Sequence, residues 1–208
     1  MKTLLIMSGP QGSGNHVWSK ILGLHPKVFG WQALQTEYWV GHDQEPFAHC
    51  WENPSKLKEF DWTQSDYYVT SISVPYINNG TPTVPNIMQF AATAMGCGLQ
   101  VKLALIGRDK NILEFQELRV RGQPTFNTAL NEYQKLATFE PTFLSYELLQ
   151  LYRGYYLKQL SKILEFPIAH DHPEVDQILS DNANTKYFRA IDHHWVDDLA
   201  HKTSSKWR

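Results

Sequence analysis

The stretch Thr3-Leu4-Leu5-Ile6-Met7-Ser8-Gly9-Pro10-Gln11-Gly12-Ser13-Gly14-Asn15-His16 decides how this chain is read. Thr3 to Met7 is a short continuous apolar run, as expected of a strand covered on both faces in a parallel sheet. Val17 to Leu24 follows with Val17, Trp18, Ile21, Leu22 and Leu24 apolar, which predicts a helix. The glycine-rich turn between them lets backbone N–H groups converge on an anion. The first helical turn adds unpaired donors and the positive end of its dipole. Gly9 and Gly14 have the spacing of the nucleotide loop Gly-x-x-x-x-Gly-Lys-Ser/Thr, but Asn15 stands at the lysine and His16 at the magnesium-binding hydroxyl. The predicted cradle keeps its backbone and lacks the groups that serve ATP hydrolysis. An ordinary glycine-rich strand-to-helix turn is the bland alternative.

The rest of the composition bounds what such a loop can serve. A chain of 208 residues with 42% hydrophobic content can form one α/β domain with a full core. A formal net charge of −2 gives no broad nucleic-acid footprint, so an anion site has to be local. Cys50 and Cys97 make no disulfide framework, and no metal-ligand spacing is present. The opening apolar run is too short for a signal peptide, and no run approaches the ~18 apolar residues of a membrane span. A cytoplasmic protein is expected. Seven Trp and ten Tyr suit a site or surface built from flat side chains.

Further along, Lys27–Trp31 reads as a second strand, and 32–62 as an aromatic-rich, unpatterned insertion lining a site. Tyr67–Val74 alternates as a strand, Asn78–Pro82 reads as a loop, and Pro85–Cys97 as a helix. Val101–Ile106 is a buried strand, followed by helices at Lys110–Arg121 and Thr125–Leu136. Thr142–Tyr146 is a strand leading into a long helix, Glu147–Leu164. That helix takes Leu148, Leu149, Leu151, Tyr152, Tyr155, Tyr156, Leu160 and Ile163 as its apolar face. Pro173–Leu179 is a short helix, and 193–208, including His193 and His194, a polar tail. Alternating strands and helices predict a single α/β domain, a three-layer sandwich around a mainly parallel sheet. Ligands of such sheets sit at the carboxyl ends of the strands, which groups the glycine loop, Arg108 and the Ser145-Tyr146-Glu147 turn.

The glycine loop, Ile106-Gly107-Arg108-Asp109-Lys110-Asn111-Ile112, Leu144-Ser145-Tyr146-Glu147, Ile163-Leu164-Glu165-Phe166 and the late Asn184-Thr185-Lys186-Tyr187 together resemble the sulfotransferase family. The resemblance is ordered from residue 3 to about 189 and implies a P-loop NTPase-like architecture. It also implies transfer of a sulfuryl group from 3′-phosphoadenosine-5′-phosphosulfate (PAPS) to a hydroxyl or amine of a small-molecule, lipid or saccharide acceptor. Carried over by position, it places the 5′-phosphosulfate on Gln11, Gly12, Ser13, Gly14, Asn15 and His16. It places the 3′-phosphate on Arg108, with Gln116 standing where the family has serine. Glu37 falls about a dozen residues after His25-Pro26, where glutamate-dependent members carry their base. The family's loop lysine is absent, with Gln11 or Asn15 nearest its position. His16, Lys102, Lys110 or Lys186 could supply the missing charge.

The chemistry sets its own demands. Sulfuryl transfer parallels phosphoryl transfer: in-line displacement, clamps on the donor's anionic groups, and a base for the acceptor's proton. No metal is called for by a monoanionic sulfate. Base candidates are Glu37, then His42 and Glu45, with His49 and His16 beside them. The bland readings are surface or structural carboxylates and imidazoles, and Arg108 as a plain ion-pair partner of Asp109 or Glu114. Two further readings stay open: a P-loop small-molecule or nucleotide kinase, and a phosphonucleotide-binding module without catalysis. Acceptor and oligomeric state are not legible.

Overall fold

A computed structural model describes residues 1–37, 40–78, 80–121 and 125–185. Tyr38, Trp39, Lys186, His193 and His194 fall outside the described residues, as do the side chains of Arg119 and Arg121. In chain order the strands are β1 (Thr3–Pro10), β2 (Val28–Phe29), β3 (Tyr67–Val74), β4 (Tyr76–Asn78), β5 (Thr81–Thr83), β6 (Gln100–Gly107) and β7 (Thr142–Ser145). The helices are α1 (Asn15–Leu22), α2 (Ala33–Thr36), α3 (Ala48–Glu52), α4 (Ile87–Gly96), α5 (Lys110–Arg121), α6 (Phe126–Lys135), α7 (Tyr146–Leu164) and α8 (Pro173–Ile178).

Five strands form one parallel sheet in the order β2-β3-β1-β6-β7. β1 lies at its centre because its side chains suit burial on both faces. Leu4 and Ile6 pack with Tyr68, Ile72, Phe90 and Ala94 under α3, α4 and α6. Leu5 and Met7 pack with Trp18, Ile21, Leu149 and Leu160 under α1, α7 and α8. All four β1 side chains are fully buried, which stabilises the strand by about 1.5–3 kcal/mol each. The result is a three-layer α/β sandwich, as the alternation of strands and helices predicts. The chain leaves β1 towards β2 and β3 on one side and later returns to β6 and β7 on the other. That reversal puts the switch point at the carboxyl end of β1. No described helix is long and apolar enough to cross a membrane.

Three local readings are corrected. Asn78, Thr81 and Pro82, expected in a loop, belong to an antiparallel hairpin, β4–β5, in which Asn78 pairs with Thr81 and Ile77 with Pro82, with Gly80 at φ +78. β2 is paired over two residues only. In α7 the buried face is Tyr146, Leu149, Leu157, Leu160 and Leu164, whereas Leu148, Leu151, Tyr152, Tyr155 and Ile163 are exposed. Arg153, at φ +42 inside that helix, breaks the phase between its two halves. It bonds Asp176 on α8 at 3.0 Å.

Candidate functional site

β1 runs on through Gly9 and Pro10, which pair with Ser73 and Val74, so the turn begins at Gln11. Ser13 N–H donates to the Pro10 carbonyl at 3.0 Å, and Trp18 N–H to the Gly14 carbonyl at 3.0 Å. Gly12 (φ +83) and Gly14 (φ +106) take the left-handed backbone that lets such a tight turn enter a helix. Alternating left-handed and helical residues make a concavity of backbone N–H groups, and the first turn of α1 extends it. A Cβ on Gly12 would lie 2.7 Å from the Gln116 amide, and one on Gly14 2.8 Å from the Tyr146 ring. The loop is therefore gripped by α5 and by the β7–α7 junction. Gly12→Ala is expected to cost about 1–3 kcal/mol from its φ alone and to push Gln116 aside. Chemical denaturation reads the effect, and an unchanged midpoint would refute the close approach.

Arg108 follows the last residue of β6 and turns onto this loop. Its Nη1 donates to the Gly12 carbonyl and, at 3.1 Å, to Gln116 Oε1. Its Nε donates to Asn184 Oδ1 at 2.9 Å, joined there by Nη2. The guanidinium carbon lies 4.7 Å from the Tyr146 ring centroid. Asp109 caps α5 through the backbone N–H groups of Asn111 and Ile112, while its own N–H donates to Glu147 Oε1 at 2.9 Å. The ends of β1, β6 and β7 are thus tied into one cluster. Glu114 pairs with Lys110 at 3.5 Å.

The loop's own polar side chains turn inward. Gln11 Nε2 donates to the Pro75 carbonyl at 2.6 Å and Asn15 Nδ2 to Ser73 Oγ at 2.9 Å. Gln11 Oε1, Ser13 Oγ, Asn15 Oδ1 and Trp18 Nε1 are buried without a hydrogen-bond partner. These four atoms fall within eight residues of chain, an unusual density of unsatisfied polar groups. Because the Ser73 hydroxyl can donate as well as accept, a turned Asn15 amide keeps that bond and presents Nδ2 instead. Lys102 bonds Glu165 at 2.8 Å and Lys110 bonds Glu114, so neither lysine is directed at the loop.

The base candidates separate. His16, on the first turn of α1, bonds the Val40 carbonyl through Nε2 at 2.9 Å. Its ring lies 4.9 Å from that of Trp31 and 5.0 Å from that of His42, and Trp31 and His42 are 5.2 Å apart. Burial lowers the His16 pKa, against the pull of the Val40 carbonyl. His42 is pushed down to about 4, by burial first and by the neighbouring His16 second. Both imidazoles are neutral at neutral pH. Glu45 is brought elsewhere: its carboxyl accepts from Thr70 Oγ1 at 2.7 Å and from the Phe47 N–H at 2.9 Å. Thr70 pairs with Ile6, four residues or about 13 Å of strand before Pro10, on the sheet face opposite α1. Burial raises Glu45 to about 8. Glu37 is exposed after α2, and His49 is exposed on α3. Among the described residues no group of three or more His, Cys, Asp or Glu side chains is placed to hold a metal ion.

The structure brings together the loop, Arg108 and Gln116, which the sequence analysis groups, and adds Asn184 and the Trp31–His42 contact, to which the sequence assigns no role. Seventy-six positions separate Asn184 from Arg108, and no local pattern announces such a pairing.

No protein-family model matches this chain, and no curated protein matches it. Among solved structures it is similar to the tunicamycin resistance protein of Deinococcus radiodurans, at 17% identity and a TM-score of 0.47. That match covers 81% of this chain and 99% of the other.

Proposed function

We propose that this chain is a PAPS-dependent sulfotransferase acting on a hydroxyl or amine of a small-molecule, lipid or saccharide acceptor. The observation that carries the reading is the convergence of Arg108 and Gln116, eight residues apart, on the Gly12–Gly14 loop at the switch point of the sheet. When bound, PAPS would supply the activated sulfuryl group. The loop N–H groups and the α1 N-terminus would hold the 5′-phosphosulfate, and Arg108 with Gln116 the 3′-phosphate. His16 is the base best placed to serve that site. Its imidazole, held by the Val40 carbonyl and kept from charging by burial, would take the acceptor's proton. Charge left on the leaving phosphate oxygen would fall to the loop N–H groups and the α1 N-terminus, with Lys186 as the lysine nearest in sequence to the Arg108 partner Asn184.

A second reading, binding without turnover, is favoured by one observation. The Gln11 and Asn15 amides, nearest the lysine position, bond the Pro75 carbonyl and Ser73 and bring no positive charge to a leaving oxygen. Thermal-shift titration with adenosine-3′,5′-bisphosphate, beside ATP with magnesium and beside Arg108→Ala, tests the site. At a hundredfold excess over its Kd the bisphosphate is expected to stabilise the native chain by about 2.7 kcal/mol, roughly 5–11 °C, and to lose that effect in the variant. Stabilisation by ATP with magnesium alone would move the protein to the kinase reading. Bisphosphate binding without sulfuryl transfer to any hydroxyl or amine acceptor in a PAPS turnover screen would leave the binding module.

A further inference from the structure

Arg108 donates through Nε and Nη2 to Asn184 Oδ1, and through Nη1 to the Gly12 carbonyl and to Gln116 Oε1. The Asn184 contact is the unusual one. A single amide oxygen accepts from both Nε and Nη2, the edge with which a guanidinium takes a carboxylate or phosphate. Asn184 is 3% exposed and comes from a turn in which its own N–H donates to Asn182 Oδ1 at 3.0 Å and Thr185 N–H to the Asn182 carbonyl at 3.0 Å. The amide oxygen therefore sits on Arg108 as a neutral substitute for an anion's oxygen, and it is delivered by the C-terminal part of the chain.

We propose that Asn184 is an exchangeable latch. An anion that takes the Nε/Nη2 edge of Arg108 must displace Asn184 Oδ1, and the turn at 182–185 is then released from the glycine loop. This rests on the assignment of Arg108 as an anion-binding residue under the proposed function. The exchange runs in the favourable direction because an ionised oxygen binds guanidinium more strongly than an amide oxygen does. The anion and the turn at 182–185 thereby exclude one another at Arg108. The sign of the coupling separates a latch from a brace. A residue that merely positions Arg108 helps binding, and its removal weakens it. A residue that competes for Arg108 hinders binding, and its removal tightens it.

The experiment uses the full chain and two probes, adenosine-3′,5′-bisphosphate and inorganic pyrophosphate, titrated calorimetrically into the native protein, Asn184→Ala and Asn184→Asp. Limited trypsin digestion at Lys186 is followed with and without each probe. About tenfold tighter binding to Asn184→Ala is expected, together with at least tenfold weaker binding to Asn184→Asp, whose carboxylate holds the same edge. Faster cleavage at Lys186 with bound probe is expected in the native chain. Asn184→Asp keeps the side chain's shape and guards against an alanine variant that unfolds. Weaker or unchanged binding to Asn184→Ala, or protection of Lys186 by the probe, overturns the latch while leaving the PAPS reading in place. Pyrophosphate speeding cleavage with no bisphosphate binding sustains the latch and removes the PAPS reading. Binding of neither probe removes both.

Discussion

Gly9→Ala is expected to lower the melting temperature by roughly 6–12 °C, about 3 kcal/mol, and to abolish binding of phosphate-bearing ligands. Gly9 sits one residue before the end of β1, opposite Ser73, where Ser13 folds back over the strand. A Cβ there would lie 2.0 Å from Ser13 Oγ and 3.0 Å from the Cβ atoms of Ser13 and Ile106. Ser13 is fully buried and Ile106 is fixed in β6, so neither yields without moving the loop or opening the sheet. The double variant Gly9→Ala/Ser13→Ala removes the 2.0 Å clash and leaves the two 3.0 Å contacts. It should recover part of the stability and little of the binding. Equal stability of Gly9→Ala and the native chain in thermal denaturation would refute this packing. A double variant no better than the single one would show that the two 3.0 Å Cβ contacts, not the Ser13 hydroxyl, set the cost.

This position shows how far the sequence could be read. Gly9 and Gly14 stand out by spacing, and the loop between strand and helix is legible from composition. That β1 continues to Pro10 is not, because Gly9 and Pro10 carry turn signals that pairing with β3 overrides. β3 was legible over its full length, since Tyr67–Val74 has the alternation and β-branched content of a strand and neighbours that supply its partners. The α7 apolar face was misread because aliphatic and aromatic residues lie on both sides of that helix. A kink at Arg153 then resets which of them face the core. Arg108 and Gln116 could be paired on paper only through the resemblance to the sulfotransferase family, which implies that pairing. The inward turn of Gln11 and Asn15 could not, because it depends on where Pro75 and Ser73 end β3. Nor could Glu45 be told from a catalytic carboxylate. Its neighbours in sequence are the aromatic residues of a site-like insertion, while its neighbours in space are Thr70 and the Phe47 N–H under the opposite face of the sheet.

Glu45 carries the second large effect, because it and His42 tilt stability in opposite directions with pH. A carboxyl raised from 4.5 to about 8 holds its proton in the folded chain where the unfolded chain has lost it. The folded state then binds more protons, so stability falls as pH rises through the window from 4.5 to 8, by up to about 4–5 kcal/mol. An imidazole lowered from 6.5 to about 4 does the reverse. The unfolded state binds more protons, so stability falls as pH drops from 6.5 towards 4, by up to about 3 kcal/mol. Between 4.5 and 6.5 the two slopes cancel, and above 6.5 only the Glu45 slope acts. The native chain should therefore lose about 2 kcal/mol between pH 6.5 and 8 in urea titrations. In Glu45→Gln the amide oxygen still accepts from the Phe47 N–H and the NH2 group can donate to Thr70. That variant should hold its stability from pH 6.5 to 8 and decline on the acid side from 6.5. His42→Gln should decline steadily from pH 4.5 upwards. Identical pH profiles for the native chain and Glu45→Gln would mean that Glu45 is ionised in the folded state. The buried carboxyl would then need a compensating cation near Thr70.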